Sequence, residues 1–428
     1  MKRHILKRSL TASIWDGVFA ACMTGLTAEY ITPYALALKA NLSQVGLLVA
    51  AQNVTVAIAQ LFAPELTEHV GSRKRIVTLF VLLQTCMAVP IILIPYFFRS
   101  HAILALILFV SLFAACQAIA TPAWMSMMSD HLPRTSRGRY FGRRNRLTGA
   151  VQIVCLFTAG FLLQRFRFDV LKGFVLVFSC AAVCRLASWY CLTRMYEPKL
   201  HIPHDAYFSF GDFIRRSGKS NFAQFVFFVS GLTFSVYLAS PFFSVFMLRD
   251  LKFDYLVYTV LIAATSIATF FTIARWGHIA DKIGNLKVLR ITALLIATLP
   301  LFWLFNHHPA FLALVQLLGG VAWAGFNLCA VNFIYDAVTP AKRTRCSAYY
   351  AFFTGLAIFL GALTGGFLGR HLPALFGYRL LSLFLLSAVM RFVIVLVFYR
   401  RIREVRPVEH LSAPNVLSSV LGLRPVQE

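Results

Sequence analysis

The amino-acid sequence is a succession of long apolar runs separated by short charged segments, and this alternation limits the possible folds more than any other feature. A helix needs about 20 apolar residues to cross roughly 30 Å of hydrocarbon, and its backbone satisfies its own hydrogen bonds there. Hydrophobic residues make up 59% of the chain and charged residues only 13%, whereas charged residues are about a quarter of a soluble domain. The sequence therefore predicts an all-α membrane protein.

Twelve apolar runs are long enough to be transmembrane helices. The predicted spans are 13–38, 43–63, 76–98, 102–128, 145–166, 170–193, 222–247, 256–276, 287–305, 309–335, 347–369 and 375–399.

The net charge of +25 comes from basic residues that stand between the apolar runs. Lysine and arginine are concentrated in the N-terminal segment, in alternate loops after it and in the C-terminal segment, and membrane proteins keep such segments in the cytoplasm. We therefore expect both termini to be cytoplasmic. Because the cations form no patch with interleaved aromatic residues, nucleic acid is not expected as a partner. The nine cysteines suggest no metal site or disulfide framework.

The two halves of the chain repeat one another. Gly25-Leu26-Thr27 in the first run recurs as Gly231-Leu232-Thr233 in the seventh, and Ala182-Val183-x-Arg185 recurs at the same offset as Ala388-Val389-x-Arg391. Two pseudo-symmetric six-helix bundles are therefore predicted. The predicted domains are an N-terminal bundle at 1–193, a cytoplasmic linker at 194–221, a C-terminal bundle at 222–399 and a cytoplasmic tail at 400–428.

A dense mixture of turn and charge signals, R-W-G-H-I-A-D-K-I-G-N-L-K, occupies residues 275–287 between two apolar runs. A membrane-crossing helix does not readily hold this mixture, so the segment predicts a tight hairpin. A related segment, P-E-L-T-E-H-V-G-S-R-K, occupies residues 64–74 in the first half. The residues singled out are Glu68, Gly71 and Arg73 in the first copy and Gly277, Asp281, Lys282 and Gly284 in the second.

These hairpins resemble the cytoplasmic signature of the major facilitator superfamily, which occurs once in each six-helix half. The string R-G-R-Y-F-G-R-R-N at 137–145 resembles a bacterial branch whose members mostly lack an assigned substrate. The resemblance implies a twelve-span secondary transporter of the bacterial plasma (inner) membrane that works by alternating access around a central cavity. It also implies a monomer in the lipid bilayer, with a small-molecule substrate and H⁺ as partners.

Charged residues at the ends of the fourth and tenth runs extend the hairpins into a predicted cytoplasmic gate. Asp130 and Asp336 end these runs, and arginine clusters that include Arg137 and Arg345 follow them. In the first interpretation, charge pairs hold the cytoplasmic side of the protein closed in one conformation and break in the other. In the second, the hairpins are plain turns and the arginines anchor the loops by the positive-inside rule. The sequence leaves both open.

Glu29 stands near the middle of the first run, where an ionised carboxylate costs on the order of 3 kcal/mol unless it faces water or a partner. Protonation removes this cost, so Glu29 is the predicted proton-coupling residue. The alternative places its side chain near the external interface, where it is inert. Asp16 is expected to cap or anchor the first helix. Arg185 and Arg391 are expected to be structural and to extend to headgroups or a neighbouring carboxylate.

Polar and aromatic residues on the central runs are the candidates for contact with a cargo in the cavity, although each is also a plausible helix-packing residue. They are Tyr30, Gln52, Asn53, Gln117, Trp124, Tyr237, Trp323, Asn327 and Asn332. The set contains no cationic clamp, and this favours a neutral, cationic or amphipathic cargo.

Several motifs are absent from the sequence. It has no nucleotide-binding loop and no common hydrolase motif, so we expect neither an enzyme nor a cofactor. The antiporter pattern of the fifth span is missing, and its near match at 361–366 suggests close helix packing instead. Uptake, uniport and multidrug-type export all remain open within transport. The alternative class is a non-transporting sensor or scaffold that keeps the fold.

Overall fold

The computed structural model of the chain describes residues 2–132, 134–198, 220–338, 343–399 and 401–405. For residues 2–5, 7, 134–137 and 343–345 it describes the backbone alone.

The described residues form fourteen α-helices. They are α1 (Lys2–Thr27), α2 (Ile31–Ala37), α3 (Leu42–Val70), α4 (Arg73–Phe97), α5 (Ala102–His131), α6 (Arg134–Arg165), α7 (Val170–Thr193), α8 (Asn221–Tyr237), α9 (Ser240–Val245), α10 (Tyr255–Ile283), α11 (Asn285–Phe302), α12 (Pro309–Ala337), α13 (Arg343–His371) and α14 (Arg379–Phe398). A π-turn at Phe246–Asp250 continues α9.

Eleven helical segments in the described part of the chain are long and apolar enough to cross a membrane. The chain is therefore a multi-pass membrane protein with an all-helical architecture. Helix α1 is not among the eleven, because its first turns are basic and the first apolar run is divided between α1 and α2.

Prolines divide the first helix of each half, where the sequence predicts one continuous span. The first helix of the N-terminal half breaks at Ala28–Tyr30, ahead of Pro33. The first helix of the C-terminal half breaks at Leu238–Ala239, ahead of Pro241. Proline has no N–H and its ring clashes with the carbonyl four residues earlier. For Pro33 that carbonyl belongs to Glu29, and the hydroxyl of Tyr258 donates to it at 2.7 Å. Neither predicted span, 13–38 or 222–247, is thus one unbroken helix, although the segment Asn221–Asp250 as a whole is long and apolar enough to cross a membrane.

The chain divides into two compact units. Unit 1 comprises Met1–Pro203 and Ser244–Thr259, and unit 2 comprises His204–Phe243 and Val260–Glu428. The same helix pairings occur in both units. In unit 1, α1 contacts α6 and α7, and α4 contacts α5 and α7. In unit 2, α8 contacts α13 and α14, and α11 contacts α12 and α14. The predicted linker and tail fall mostly outside the described residues, so the predicted domain boundaries stay predictions.

The hairpins are shorter than the sequence indicates. Helix α10 runs through the predicted hairpin to Ile283, and Gly284 alone, with φ 88°, turns the chain into α11. In the first half α3 contains Pro64 and ends at Val70, and Gly71 has φ 67°. A helix tolerates charged residues in its last turns, and a turn needs only one residue that accepts positive φ. The prediction of a hairpin over residues 275–287 is therefore wrong in extent.

Glycines on α13 allow close contact with α8, as the sequence indicates for residues 361–366. A Cβ built on Gly361 would lie 2.6 Å from the carbonyl oxygen of Phe234, and one on Gly365 would overlap the carbonyl oxygen of Leu238. The two backbones are thus in direct contact, and no larger residue fits without moving one of them.

This contact predicts the effect of one added methyl group. Gly365→Ala forces α8 and α13 apart, and overpacking of this kind costs about 1–3 kcal/mol. We expect a lower midpoint of thermal unfolding for the detergent-purified protein. Gly142→Ala is the matched control, because Gly142 is helical and a Cβ there meets nothing within 4 Å. Equal midpoints for the two variants would contradict the observed contact.

Candidate functional site

A cavity of about 460 Å³ lies within unit 1, among α1, α2, α3, α4, α5 and α7. Much of its wall is apolar, with side chains such as Ile91, Phe113 and Phe178. The polar lining residues are Thr24, Thr27, Gln52, Gln60, Gln84, Gln117, Thr121 and Arg185. Gln60, Gln117 and Thr121 are exposed whereas Gln84 and Arg185 are buried, so the cavity opens beside α3 and α5 and closes at Arg185.

Arg185 on α7 is the one charged residue in the described lining of this cavity, and only 3% of it is exposed. Its Nε donates to Oε1 of Gln84 at 2.7 Å, Nη1 donates to Oγ of Ser188 at 3.2 Å, and Nη2 donates to Oε1 of Gln117 at 2.7 Å. These bonds join α7 to α4 and α5 and hold the guanidinium plane in one orientation.

Asp16 on α1 is the nearest countercharge to this arginine. It is buried and accepts a hydrogen bond from Oγ of Ser188 at 2.7 Å, so one hydroxyl links it to Arg185. Nη2 of Arg144 on α6 lies 3.6 Å from Oδ2 of Asp16, and the Arg144 guanidinium stacks 4.4 Å from the ring centroid of Trp124. Two cations and one anion therefore share this buried cluster.

One alternative in each of two sequence interpretations is wrong here. Asp16 lies in the interior of α1 and not at its end, so it does not cap the helix. Arg185 does not extend to headgroups; its bonds join helices, in agreement with a structural role, and Ser188 links it to the neighbouring carboxylate of Asp16. A cationic group therefore does line the cavity. The signal was available, since an arginine within an apolar span is costly and needs polar partners.

Arg391 occupies the equivalent repeat position in unit 2 and is equally buried. Its Nη1 donates to the carbonyl of Ile296 at 2.8 Å, its Nη2 to that of Val236 at 3.4 Å, and its Nε to Oγ of Ser387 at 3.1 Å. The expectation that it reaches headgroups is also wrong. Its donors are directed at the protein's own backbone.

The predicted cavity residues of the first half are only partly brought together. Gln52 and Gln117 line the cavity. Tyr30 does not, because it is fully buried and its hydroxyl donates to the Leu156 carbonyl at 2.7 Å. The side chain of Asn53 donates to a carbonyl of its own helix, and Trp124 packs under Arg144.

The predicted cavity residues of the second half belong to unit 2 and do not line the unit 1 cavity. Tyr237, Trp323 and Asn332 are half-buried and Asn327 is exposed. Trp323 makes an edge contact with Phe326, at 5.8 Å between ring centroids.

Glu29 lies at the break between α1 and α2, eight residues before the end of α2. Its side chain is exposed and does not line the cavity, although its neighbour Ala28 does. Among the described residues its carboxylate has no hydrogen bond or ion pair. It is thus a carboxylate without a cationic partner, unlike Asp16.

Three predicted gate residues of the first half, Gly71, Arg73 and Asp130, lie together with Ser72 and Glu197 in a compact group, the unit 1 corner. Nη1 of Arg73 lies 2.6 Å from Oδ2 of Asp130, and Arg73 is buried. Arg73 also donates to the carbonyl of Pro198 at 2.9 Å.

Glu197 belongs to this corner, and the sequence analysis missed it. Its two carboxylate oxygens accept from Oγ of Ser72 at 2.6 Å and from the backbone N–H of Lys74 at 3.1 Å. A carboxylate is favourable at a helix N-terminus, here that of α4. The sequence signal for Glu197 was its position just after α7, next to a proline.

The unit 2 corner, made of Gly284, Asn285, Leu286, Asp336 and Glu404, repeats this arrangement with different chemistry. Nδ2 of Asn285 donates to Oδ2 of Asp336 at 2.7 Å, and the backbone N–H of Leu286 donates to Oε2 of Glu404 at 2.7 Å. An amide thus stands where the unit 1 corner has an arginine.

The remaining predicted gate residues do not join either corner. Glu68 and Asp281 are exposed and form no ion pair with described residues, and Lys282 is half-buried. Gly277 lies inside α10 beside Leu328. The side chains of Arg137 and Arg345 lie outside the described part of the structure, so their pairing stays a prediction.

The unit 1 corner predicts a stability effect for Arg73. Arg73→Met leaves Asp130 and the Pro198 carbonyl without their donor, and hydrogen bonds to charged groups contribute about 1.5–3 kcal/mol. We expect a lower unfolding midpoint in detergent. Arg75→Met removes an exposed arginine two residues away and is the control. A midpoint for Arg73→Met equal to that of Arg75→Met would contradict this role.

Comparison with known proteins gives one family and several similar folds. The family model described as "MFS_1 like family" matches residues 18–380. A mutant of the nucleoside transporter NupG has a TM-score of 0.72 at 14% identity, covering 92% of this chain and 100% of that chain. A D-xylose-proton symporter has a TM-score of 0.71 at 13% identity, covering 94% of this chain and 98% of that chain.

A bacterial homologue of the iron transporter ferroportin, in its inward-facing state, has a TM-score of 0.69 at 12% identity, covering 92% of this chain and 98% of that chain. At these identities the likeness establishes the fold alone. No curated protein sequence matches the chain.

Proposed function

Because the chain belongs to the MFS_1 like family, we propose that it is a secondary active transporter that moves a small organic solute across a membrane by alternating access. The family membership confirms the predicted resemblance to the major facilitator superfamily. As a member of a transporter family, the chain is a transporter rather than an enzyme.

The observation that carries the proposal is the polar cavity inside unit 1. Ligand pockets commonly have volumes of about 300–1,000 Å³, mostly apolar walls and a few polar groups that fix orientation. The cavity of about 460 Å³ has this composition, with its polar groups drawn from five of the six helices that line it. Polar side chains within membrane helices are costly to keep, and a solute site accounts for them.

The proposed topology has twelve spans, with α1 and α2 together forming the first. Eleven other segments supply the rest. We propose that both termini lie in the cytoplasm of a bacterium and the protein in its plasma (inner) membrane, because the distribution of the basic segments favours that orientation. We propose a monomer in the lipid bilayer, with the solute and H⁺ as its partners and no nucleic acid.

Glu29 is the proposed coupling residue. Its carboxylate has no cationic partner among the described residues, so ionisation is favoured only while water reaches it. A conformation that excludes water would favour the protonated form, and this difference between states can couple proton movement to solute movement. Asp16, unlike Glu29, has a cation and a hydroxyl as partners, Arg144 and Ser188.

Flux in proteoliposomes tests both transport and coupling. The panel would contain radiolabelled nucleosides, D-xylose and small carboxylic acids, with and without an imposed pH gradient. We expect at least one solute to accumulate several-fold only with the gradient. Glu29→Gln should retain downhill flux and lose accumulation, because the amide cannot exchange a proton.

Glu65→Gln is the control for this experiment, because Glu65 is an exposed glutamate on α3 outside the cavity. Gradient-driven accumulation by Glu29→Gln equal to that of Glu65→Gln would overturn coupling at Glu29. Binding of a panel solute without any flux would overturn transport and favour the sensor alternative.

A further inference from the structure

We infer that the unit 1 cavity binds a small organic monoanion, with a carboxylate of that solute on the guanidinium of Arg185. This inference rests on the proposed function only in treating the solute as cargo. It departs from the sequence expectation of a neutral, cationic or amphipathic cargo, because that expectation assumed no cation in the cavity.

The buried cluster around Asp16 carries an excess positive charge. Arg185 and Arg144 carry two positive charges and Asp16 carries one negative charge, so the cluster has a net charge of +1. Arg144 stands closest to Asp16, at 3.6 Å, and Arg185 reaches Asp16 only through Ser188. The excess charge therefore lies at the closed end of the cavity. An uncompensated charge inside an apolar bundle is costly, and a bound monoanion would neutralise it.

Arg185 and Gln84 have more hydrogen-bond donors than their protein partners accept. A guanidinium has five N–H groups and no acceptor. Three of those on Arg185 donate to Gln84, Ser188 and Gln117, which leaves two without a partner among the described residues. Because a guanidinium only donates, Gln84 must turn its amide oxygen to Arg185, and its amide N–H groups are left over. The closed end of the cavity thus offers donors, and a carboxylate supplies the acceptors.

Arg391, at the repeat position in unit 2, also makes three hydrogen bonds, but two of its acceptors are backbone carbonyls and the third is a serine hydroxyl. At Arg185 the partners are side chains from α4 and α5, and the cavity adjoins the group. The same repeat position therefore borders a cavity in unit 1 and has its donors on backbone carbonyls in unit 2.

The cavity also limits the rest of the solute. Ile91, Phe113 and Phe178 suit an apolar body, and Gln52 and Gln60 on α3 offer hydrogen bonds away from Arg185. With a single net positive charge, a second carboxylate would have no countercharge among the described lining residues. A monocarboxylate with an apolar body fits these conditions better than a dianion.

Matched acids and amides test the inference on the full-length protein in lipid nanodiscs. The probes are benzoate with benzamide and hexanoate with hexanamide, so that each pair differs chiefly in charge. Thermal shift and titration calorimetry at neutral pH should show binding of at least one acid, with its amide at least about tenfold weaker. Equal binding of acid and amide, or no binding of either acid, would overturn the inference. Stronger binding of phenyl phosphate than of benzoate would overturn the choice of a carboxylate.

Substitutions at Arg185 complete the test. Arg185→Gln should weaken acid binding at least about tenfold and abolish the preference over the amide, whereas Arg185→Lys, which keeps the charge, should retain the preference with lower affinity. Arg139→Gln removes an exposed arginine from the same unit and should bind as the wild type. Should Arg185→Gln not fold, loss of preference in Arg185→Lys would overturn the inference.

The result is separable from the proposed function. Acid binding through Arg185 without flux would overturn transport and leave this inference standing. Flux of a neutral solute that Arg185→Gln does not alter would support transport and overturn this inference.

Discussion

A charge held inside an apolar helix bundle needs partners, and Arg185 shows how the first unit meets that need. Its guanidinium joins α7 to α4 and α5 through two glutamines, and the hydroxyl of Ser188 links it by hydrogen bonds to Asp16 on α1. Removing any partner would leave a buried polar group unsatisfied, which costs more than the bond itself contributes. The cavity exists beside this group, so its shape and its chemistry depend on the same set of hydrogen bonds.

The two units show which features of a duplicated bundle persist and which change. Four helix pairings recur in both units. The polar partners differ: Arg73 meets Asp130 in one corner, and Asn285 meets Asp336 in the other. The carboxylate that accepts is kept in both corners, whereas the donor is charged in one and neutral in the other.

Much of the fold was predictable from the sequence, since a run of about 20 apolar residues has few options in a membrane. The predicted span at 170–193 coincides with α7, and most others agree to within a few residues. The exceptions have local causes. Helix α10 extends through the charged segment to Gly284, and the carbonyl freed by Pro33 binds Tyr258, a residue far along the chain.

The sequence by itself determined the helical membrane architecture, the repeat and the glycines at which the two hairpins turn, because these follow from apolar length, from recurring residues and from glycine's tolerance of positive φ. Only the tertiary structure decided which polar residues meet. Gln84, Gln117, Arg185 and Asp16 lie on four different helices, and nothing in their spacing along the chain shows that they converge. The rotation and packing of the helices set the distances between these side chains. They also decide whether a buried arginine faces a cavity or has its donors on backbone carbonyls.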